Sequence, residues 1–133
     1  MTEELLSQPG VCSVHWDGGT ETITVEWDGD VGGEDYRDVM ERVLDWIVDR
    51  DATKLLVDAR KQGLMSEADQ DWTVADWQPR AVEAGLTDKA IVYPEDRPAR
   101  TTVDMSARKS PQPGLERLFT EDIEEARNWL GTT

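Results

Sequence analysis

Two short runs, "TKLLVDA" and "KAIVYP", each have an unbroken apolar centre, Leu55 to Val57 and Ala90 to Tyr93, and they constrain the fold more than any other feature of the chain. Each has the length of a strand, carries no alternation, and is bounded by turn-forming or polar residues. That pattern belongs to strands buried on both faces in the interior of a parallel sheet. Parallel neighbours need a crossover of a dozen or more residues, usually a helix. The chain is therefore expected to be α/β.

The segments around these runs change period as that topology requires. "VCSVHWDGGTETITVEWDGDV" alternates apolar and polar residues on either side of an Asp-Gly-Gly turn signal. It reads as an antiparallel hairpin with strands near 11–16 and 21–27. In "GGEDYRDVMERVLDWIVDRD" the residues Tyr36, Val39, Met40, Val43, Leu44 and Ile47 recur at helical spacing and form one apolar stripe. A second helix should begin at Ser66, whose hydroxyl serves as N-cap, with Asp69 as the capping-box acid. Pro79 lacks an amide hydrogen and should end or kink that helix near Gln78. Residues 95–114 hold three further prolines, and only a short helix near 101–108 is expected there. "LERLF" reads as a last strand, and "TEDIEEARNWLG" as a last helix capped by Thr120, with Gly131 just past its end.

The order β-β-α-β-α-β-(α)-β-α implies one mixed sheet, an N-terminal antiparallel hairpin followed by right-handed parallel crossovers, covered by helices. At 133 residues this is one domain, with residues 1–10 as an N-terminal tail and 11–131 as the folded unit.

The formal net charge is −15, with 29 acids against 14 Lys and Arg. Only four of the cations are lysine, and Asp outnumbers Glu sixteen to thirteen. This suits a protein of a high-salt cytosol, such as that of a halophilic archaeon, where a Debye length of about 3 Å screens dense surface carboxylates from one another. The rival reading is an acidic mesophilic protein with a basic partner. Either way phosphates would meet a field of their own sign, so no nucleic acid is expected as a partner. No stretch approaches the roughly 20 apolar residues that span a bilayer, and the opening "MTEELLSQPGVC" has no secretory pattern. A cytoplasmic location without membrane insertion follows, as a monomer or homodimer. Cys12 and His15 cannot by themselves close a zinc site, so no metal or cofactor is expected.

The stretch "DQDWTVADWQPRAVEAG", the strand "KAIVYPED" and the ending "FTEDIEEARNWL", taken with the order of elements, resemble the SpoIIAA-like branch of the STAS domains (sulfate transporter and anti-sigma factor antagonist). The resemblance covers about Val11 to Leu130. It implies a small regulatory or protein-binding module rather than an enzyme, with an unidentified protein as partner. In some relatives a serine is phosphorylated where the central strand runs into its helix, in a pattern of Asp, Ser, Ser, Gly. Here the aligned residues are Ser66, Glu67, Ala68 and Asp69, so the resemblance implies that the phosphoswitch is absent.

The same junction holds the densest polar cluster at a strand's carboxyl end: Asp58, Arg60 and Lys61, with Gly63 letting the loop turn. Ligands of open α/β sheets tend to sit at that edge. An Asp-Arg ion pair that ties down the loop is the simpler use of the same residues. Carboxylates such as Asp69 and Asp76 are indistinguishable from the other surface acids, and no base, nucleophile or metal set stands beside the cluster. At about 100° per residue Trp72 and Trp77 lie roughly 140° apart on the second helix. The wheel puts Trp72 in the core with Ala68, Ala75 and Val82. It puts Trp77 on an outward flank, where it joins Ser66 and Glu67 as a candidate binding face. Arg97, Arg100, Arg108 and Lys109 against the single acid Asp104 make a basic segment that either receives an anion or acidic helix or supplies counter-charge to nearby acids. The alternative to a binding module is a pocket protein for a small molecule or lipid.

Overall fold

The computed structural model of the protein describes residues 2–107 and 112–131. Its first element was not expected. Residues 1–10, read above as a tail, carry strand β1 (Thr2–Gln8), antiparallel to β2 (Cys12–Asp17). The Pro9-Gly10 turn joins them, with Gly10 at φ 77° and the Val11 amide donating to the Gln8 carbonyl. β1 escapes a pattern search because it is a solvated edge with a bulge between Glu4 and Leu6, which breaks the alternation that marks a strand.

β2 turns into β3 (Thr22–Gly29) through residues 18–21, and the Asp17 carboxylate accepts the Gly19 amide. α1 (Gly33–Arg50) follows and buries Tyr36, Val39, Met40, Val43 and Ile47 as its stripe requires. β4 (Lys54–Gln62) lies parallel to β3 and is buried at nearly every position. Then come α2 (Glu67–Trp72), a π-helical turn (Thr73–Trp77), α3 (Gln78–Glu83) and β5 (Asp88–Val92). α4 (Arg97–Ala107) fills most of the proline-rich region, and β6 (Glu116–Thr120) and α5 (Ile123–Gly131) complete the chain of elements.

Pro79 does not end its helix. The Gln78 amide reaches back five residues to the Thr73 carbonyl, and this widened turn passes the missing donor and the bulk of the proline ring. The last helix is capped by Asp122, whose carboxylate accepts the Glu124 amide, while the Thr120 hydroxyl accepts the Asp122 amide at the end of β6.

Among the described residues the sheet has six strands in the order β1-β2-β3-β4-β5-β6, antiparallel over the first three and parallel over the rest. This is the expected mixed sheet. The larger core joins one sheet face to α1, the α2–α3 segment and α4, through Val14, Ile23, Val25, Leu55 and Val57 on the strands. A smaller core sets α5 against Leu56, Ala90 and Val92 on the other face. Helices that cross on one face while the strands advance in one direction all share one hand, as the crossover rule demands. Over β1–β3 the second face is left to water, and Ser13, His15, Asp17, Thr24 and Glu26 line it in strict alternation with the core residues. Cys12 and His15 therefore sit on opposite faces of β2.

Candidate functional site

The exit of β4 gathers most of the polar residues singled out above, but the structure divides them into two groups. Asp58, Arg60 and Lys61 line a groove against the β1–β2 turn, shared with Gln8, Pro9 and Glu26. Within it Asp58 and Arg60 are a closed pair. The Arg60 Nε and Nη2 atoms donate to the two Asp58 oxygens at 2.9 and 2.8 Å, and the Arg60 amide donates to Oδ1. Burial alone would raise the Asp58 carboxyl, but the Arg60 hydrogen bonds, with its charge and that of Arg127, outweigh burial and hold the carboxyl below its ordinary range. This is the geometry of an ion pair that fixes a loop.

Gly63, Ser66 and Glu67 lie beyond the groove. Gly63 does not serve by taking a positive φ. A Cβ there would stand 1.5 Å from Asp30 Oδ1, so only glycine lets the two loops approach, with the Gly63 amide bonded to the Gly29 carbonyl and the Leu64 amide to Asp30. Ser66 caps α2 as expected, its hydroxyl accepting the Asp69 amide at 3.1 Å. The Asp69 carboxylate does not return to Ser66. It accepts the Gly33 amide at 2.9 Å and faces Arg37 Nε at 3.5 Å, so it supplies to α1 the N-terminal cap that Gly32 cannot provide. One buried acid thus ties together the starts of two helices.

The two tryptophans are the reverse of the wheel's assignment. Trp77 is fully buried and its indole N–H donates to the Met40 carbonyl at 2.8 Å, so it contributes nothing to a surface. Trp72 is half-buried, edge-on to Tyr36, with the Arg37 and Arg80 guanidinium groups over its ring at 5.4 and 6.0 Å. The buried stripe is Gln70, Thr73, Trp77 and Ala81, while Ala68 and Ala75 are exposed. Apolarity pointed to the wrong side because the buried Thr73 hydroxyl and Gln70 amide donate within their own turn and to the preceding loop, and Thr73 is also reached by Tyr36 from α1. Thr73 Oγ donates to the Asp69 carbonyl and so accepts from the Tyr36 hydroxyl at 2.7 Å, and Gln70 donates to the Met65 carbonyl.

Of the basic segment, Arg97 is exposed on α4. Arg100 pairs with Glu121 and lies 4.4 Å from the Tyr93 ring, which is the counter-charge role. Arg108 and Lys109 fall outside the described residues. Two features escaped the sequence reading. Leu64 is 55% exposed on the β4–α2 loop, and the next residue's amide donates to Thr102 Oγ1 of α4, one turn before the exposed Met105. The second feature is a buried cluster of amides and cations under α4, around Lys89, whose only signal was a lysine inside an apolar strand.

A SpoIIAA-like family model matches residues 22–131. No curated protein sequence matches the chain. Among solved structures, the anti-sigma factor antagonist SpoIIAA in its unphosphorylated form is similar at a TM-score of 0.57 and 11% identity, over 98% of this chain and 97% of that one. A DUF3478-family protein with a SpoIIAA-like fold from Shewanella loihica PV-4 gives 0.56 and 17%, over 98% and 92%. SiaC of Pseudomonas aeruginosa, in a complex where it is described as the activator of the diguanylate cyclase SiaD, gives 0.52 and 12%, over 89% and 98%. At these identities the likeness is one of fold.

Proposed function

The chain belongs to the SpoIIAA-like family, and on that premise we propose that it is a non-catalytic regulatory module that binds another protein through the exit of β4. The face comprises the loop carrying Leu64, the N-terminal turn of α2 with Ser66 and Glu67, and the neighbouring side of α4 with Met105. One observation carries the reading: Leu64 stands 55% exposed at the strand end where ligands of such sheets tend to sit, on a loop held in place by Gly63 and Thr102. A large apolar side chain fixed in water at a sheet's functional edge suits a partner contact. SpoIIAA, an anti-sigma factor antagonist, and SiaC, the activator of the diguanylate cyclase SiaD, both act on other proteins, which supports the same class.

The module works without a phosphoswitch, since Ser66 is engaged as a helix cap and the family's serine positions hold Glu67 and Ala68. Its setting is a salt-rich cytoplasm, where it acts as a monomer or homodimer and its acidic surface keeps nucleic acid away. A pocket for a lipid is the weaker reading, because the cavity beneath α4 offers only about 50 Å³ of space that water could fill, with polar as well as apolar side chains in its lining.

The test is site-specific photo-crosslinking in native cells, with the reactive residue at position 64 or at Val48, an equally exposed apolar position on α1. A partner captured from 64 and not from 48, and lost in Glu67→Arg, supports the face. Capture from 48 alone, or equally from both, refutes it.

A further inference from the structure

The row Leu55, Lys89, Arg117 runs across three neighbouring parallel strands on the face covered by α1, α3 and α4. It sets two cations side by side, an arrangement that is unfavourable unless something negative intervenes. Lys89 is 6% exposed and its ammonium lies 5.5 Å from the Trp77 ring. Its one hydrogen bond among the described residues goes to Gln78 Oε1 at 3.2 Å. In a chain with 29 acids, no carboxylate pairs with Lys89 or Arg117 among the described residues.

The cavity these residues line is short of acceptors. The side-chain amides of Gln62 and Gln78, 4% and 1% exposed, each present an Nε2 group with no partner. Both residues line the same space, together with Lys89, Arg117, Tyr36 and Thr73. The Tyr36 and Thr73 hydroxyls are already bonded to each other, and Gln78 Oε1 is taken by Lys89. Along this lining the unmet buried groups are therefore donors and positive charge, while the unpartnered acceptor Gln70 Oε1 belongs to a residue outside it. Buried polar groups are nearly always satisfied, so such a set calls for an occupant.

From this convergence we infer that the cavity is a binding site for a small monovalent anion, of the size of a halide or formate. Water would bring donors of its own to a site that already has too many, and would leave the buried Lys89 ammonium uncompensated. An anion accepts from every side. About 50 Å³ is several times the roughly 10–15 Å³ that a single water needs, and far below what a lipid tail or nucleotide occupies. Burial and the neighbouring Arg117 charge together bring the Lys89 pKa down to about 7. An anion at this point returns the ammonium to its charged form.

Bromide is the probe. Crystals grown in potassium bromide should show one anomalous peak inside the cavity, within hydrogen-bonding reach of Lys89 Nζ and the Gln62 and Gln78 amides. In solution, thermal midpoints are compared in potassium bromide and potassium gluconate at matched ionic strength, gluconate being too large to enter. Bromide should give an additional, saturable rise that is lost in Lys89→Met and reduced in Gln62→Leu, two variants that keep most of the side-chain volume while removing the donors. An empty or water-filled cavity in bromide overturns the inference, as does a bromide effect of equal size in folded Lys89→Met. If Lys89→Met fails to fold, an undiminished rise in Gln62→Leu overturns it equally.

Discussion

Replacing Trp77 should damage the fold far more than replacing Trp72, although a helical wheel ranks them the other way. Trp77 is fully buried and donates to the Met40 carbonyl. A tryptophan of this kind removes roughly 150–250 Å² from water, and loss of such a ring to alanine in a core costs about 3–5 kcal/mol. The lost hydrogen bond adds about 1 kcal/mol. Trp72 is half-buried and keeps one side toward Arg37 and Arg80, so its truncation should cost about 2–3 kcal/mol, from half the area at about 25 cal/mol per Å². Since a domain is stable by only about 5–15 kcal/mol, Trp77→Ala consumes a large share of the total, and Trp77→Phe, which keeps most of the ring volume, provides the intermediate point. Urea unfolding followed by circular dichroism in molar KCl is the appropriate assay, because guanidinium would change the ionic strength of so acidic a protein. The midpoint should fall in the order Trp72→Ala, Trp77→Phe, Trp77→Ala, with the slope of the transition unchanged. A cost for Trp72→Ala equal to or above that of Trp77→Ala would refute the assignment of the buried stripe.

Lys89→Met should stabilise the protein near neutral pH in gluconate buffer. The folded Lys89 pKa of about 7 lies below its unfolded value of about 10.4, so the unfolded chain binds more protons between them and stability rises with pH across that window. The advantage of Lys89→Met should shrink from pH 7 to pH 10, with Arg117 and Tyr36, the charged and titratable groups beside it, protonated throughout; a constant difference would contradict a buried, unpaired ammonium. Gly63→Ala should cost about 1–3 kcal/mol, within the range for a steric clash in a packed site, and the double variant with Asp30→Gly should recover part of it in the same unfolding assay. No recovery would mean that Asp30 is not the obstacle. The thermal midpoint of the native chain should rise strongly from dilute buffer to molar KCl, because the net charge is −15 and screening relieves it; a flat dependence would remove the high-salt reading.

The parts of the fold that could be read from the chain are those in which a residue's role is decided by its immediate neighbours. Tyr36, Val39, Met40, Val43 and Ile47 are apolar, helically spaced and buried, and the run Leu55–Val57 needs no partner to announce a central strand. β1 was missed because its polar residues face water at an edge and its bulge breaks the period. The α2–α3 face was inverted because Gln70 and Thr73 become tolerable in a core only through Met65 and Tyr36, and the π turn before Pro79 is not written in any local propensity. The candidate site follows the same rule. Ser66 as cap and Asp58 with Arg60 as a pair are short-range and were foreseen. Asp69 capping α1 from 36 residues away, the Asp30 side chain packed on Gly63, and the donors around Lys89 depend on contacts that only the folded chain creates.

Because the spatial order of the strands equals their order along the chain, this sheet can be laid down as it is synthesised. Each strand that leaves the ribosome, at about 5–20 residues per second, meets a neighbour already in place, and no strand has to be inserted between two that are paired. Such a route avoids the misregistered intermediates that trap sheets with interleaved strands. Its one exposed moment comes late: the apolar patch of Leu56, Ala90 and Val92 stays open until α5, the last of these elements, arrives to cover it. That interval, rather than any step in forming the sheet, is when the nascent protein most needs a chaperone.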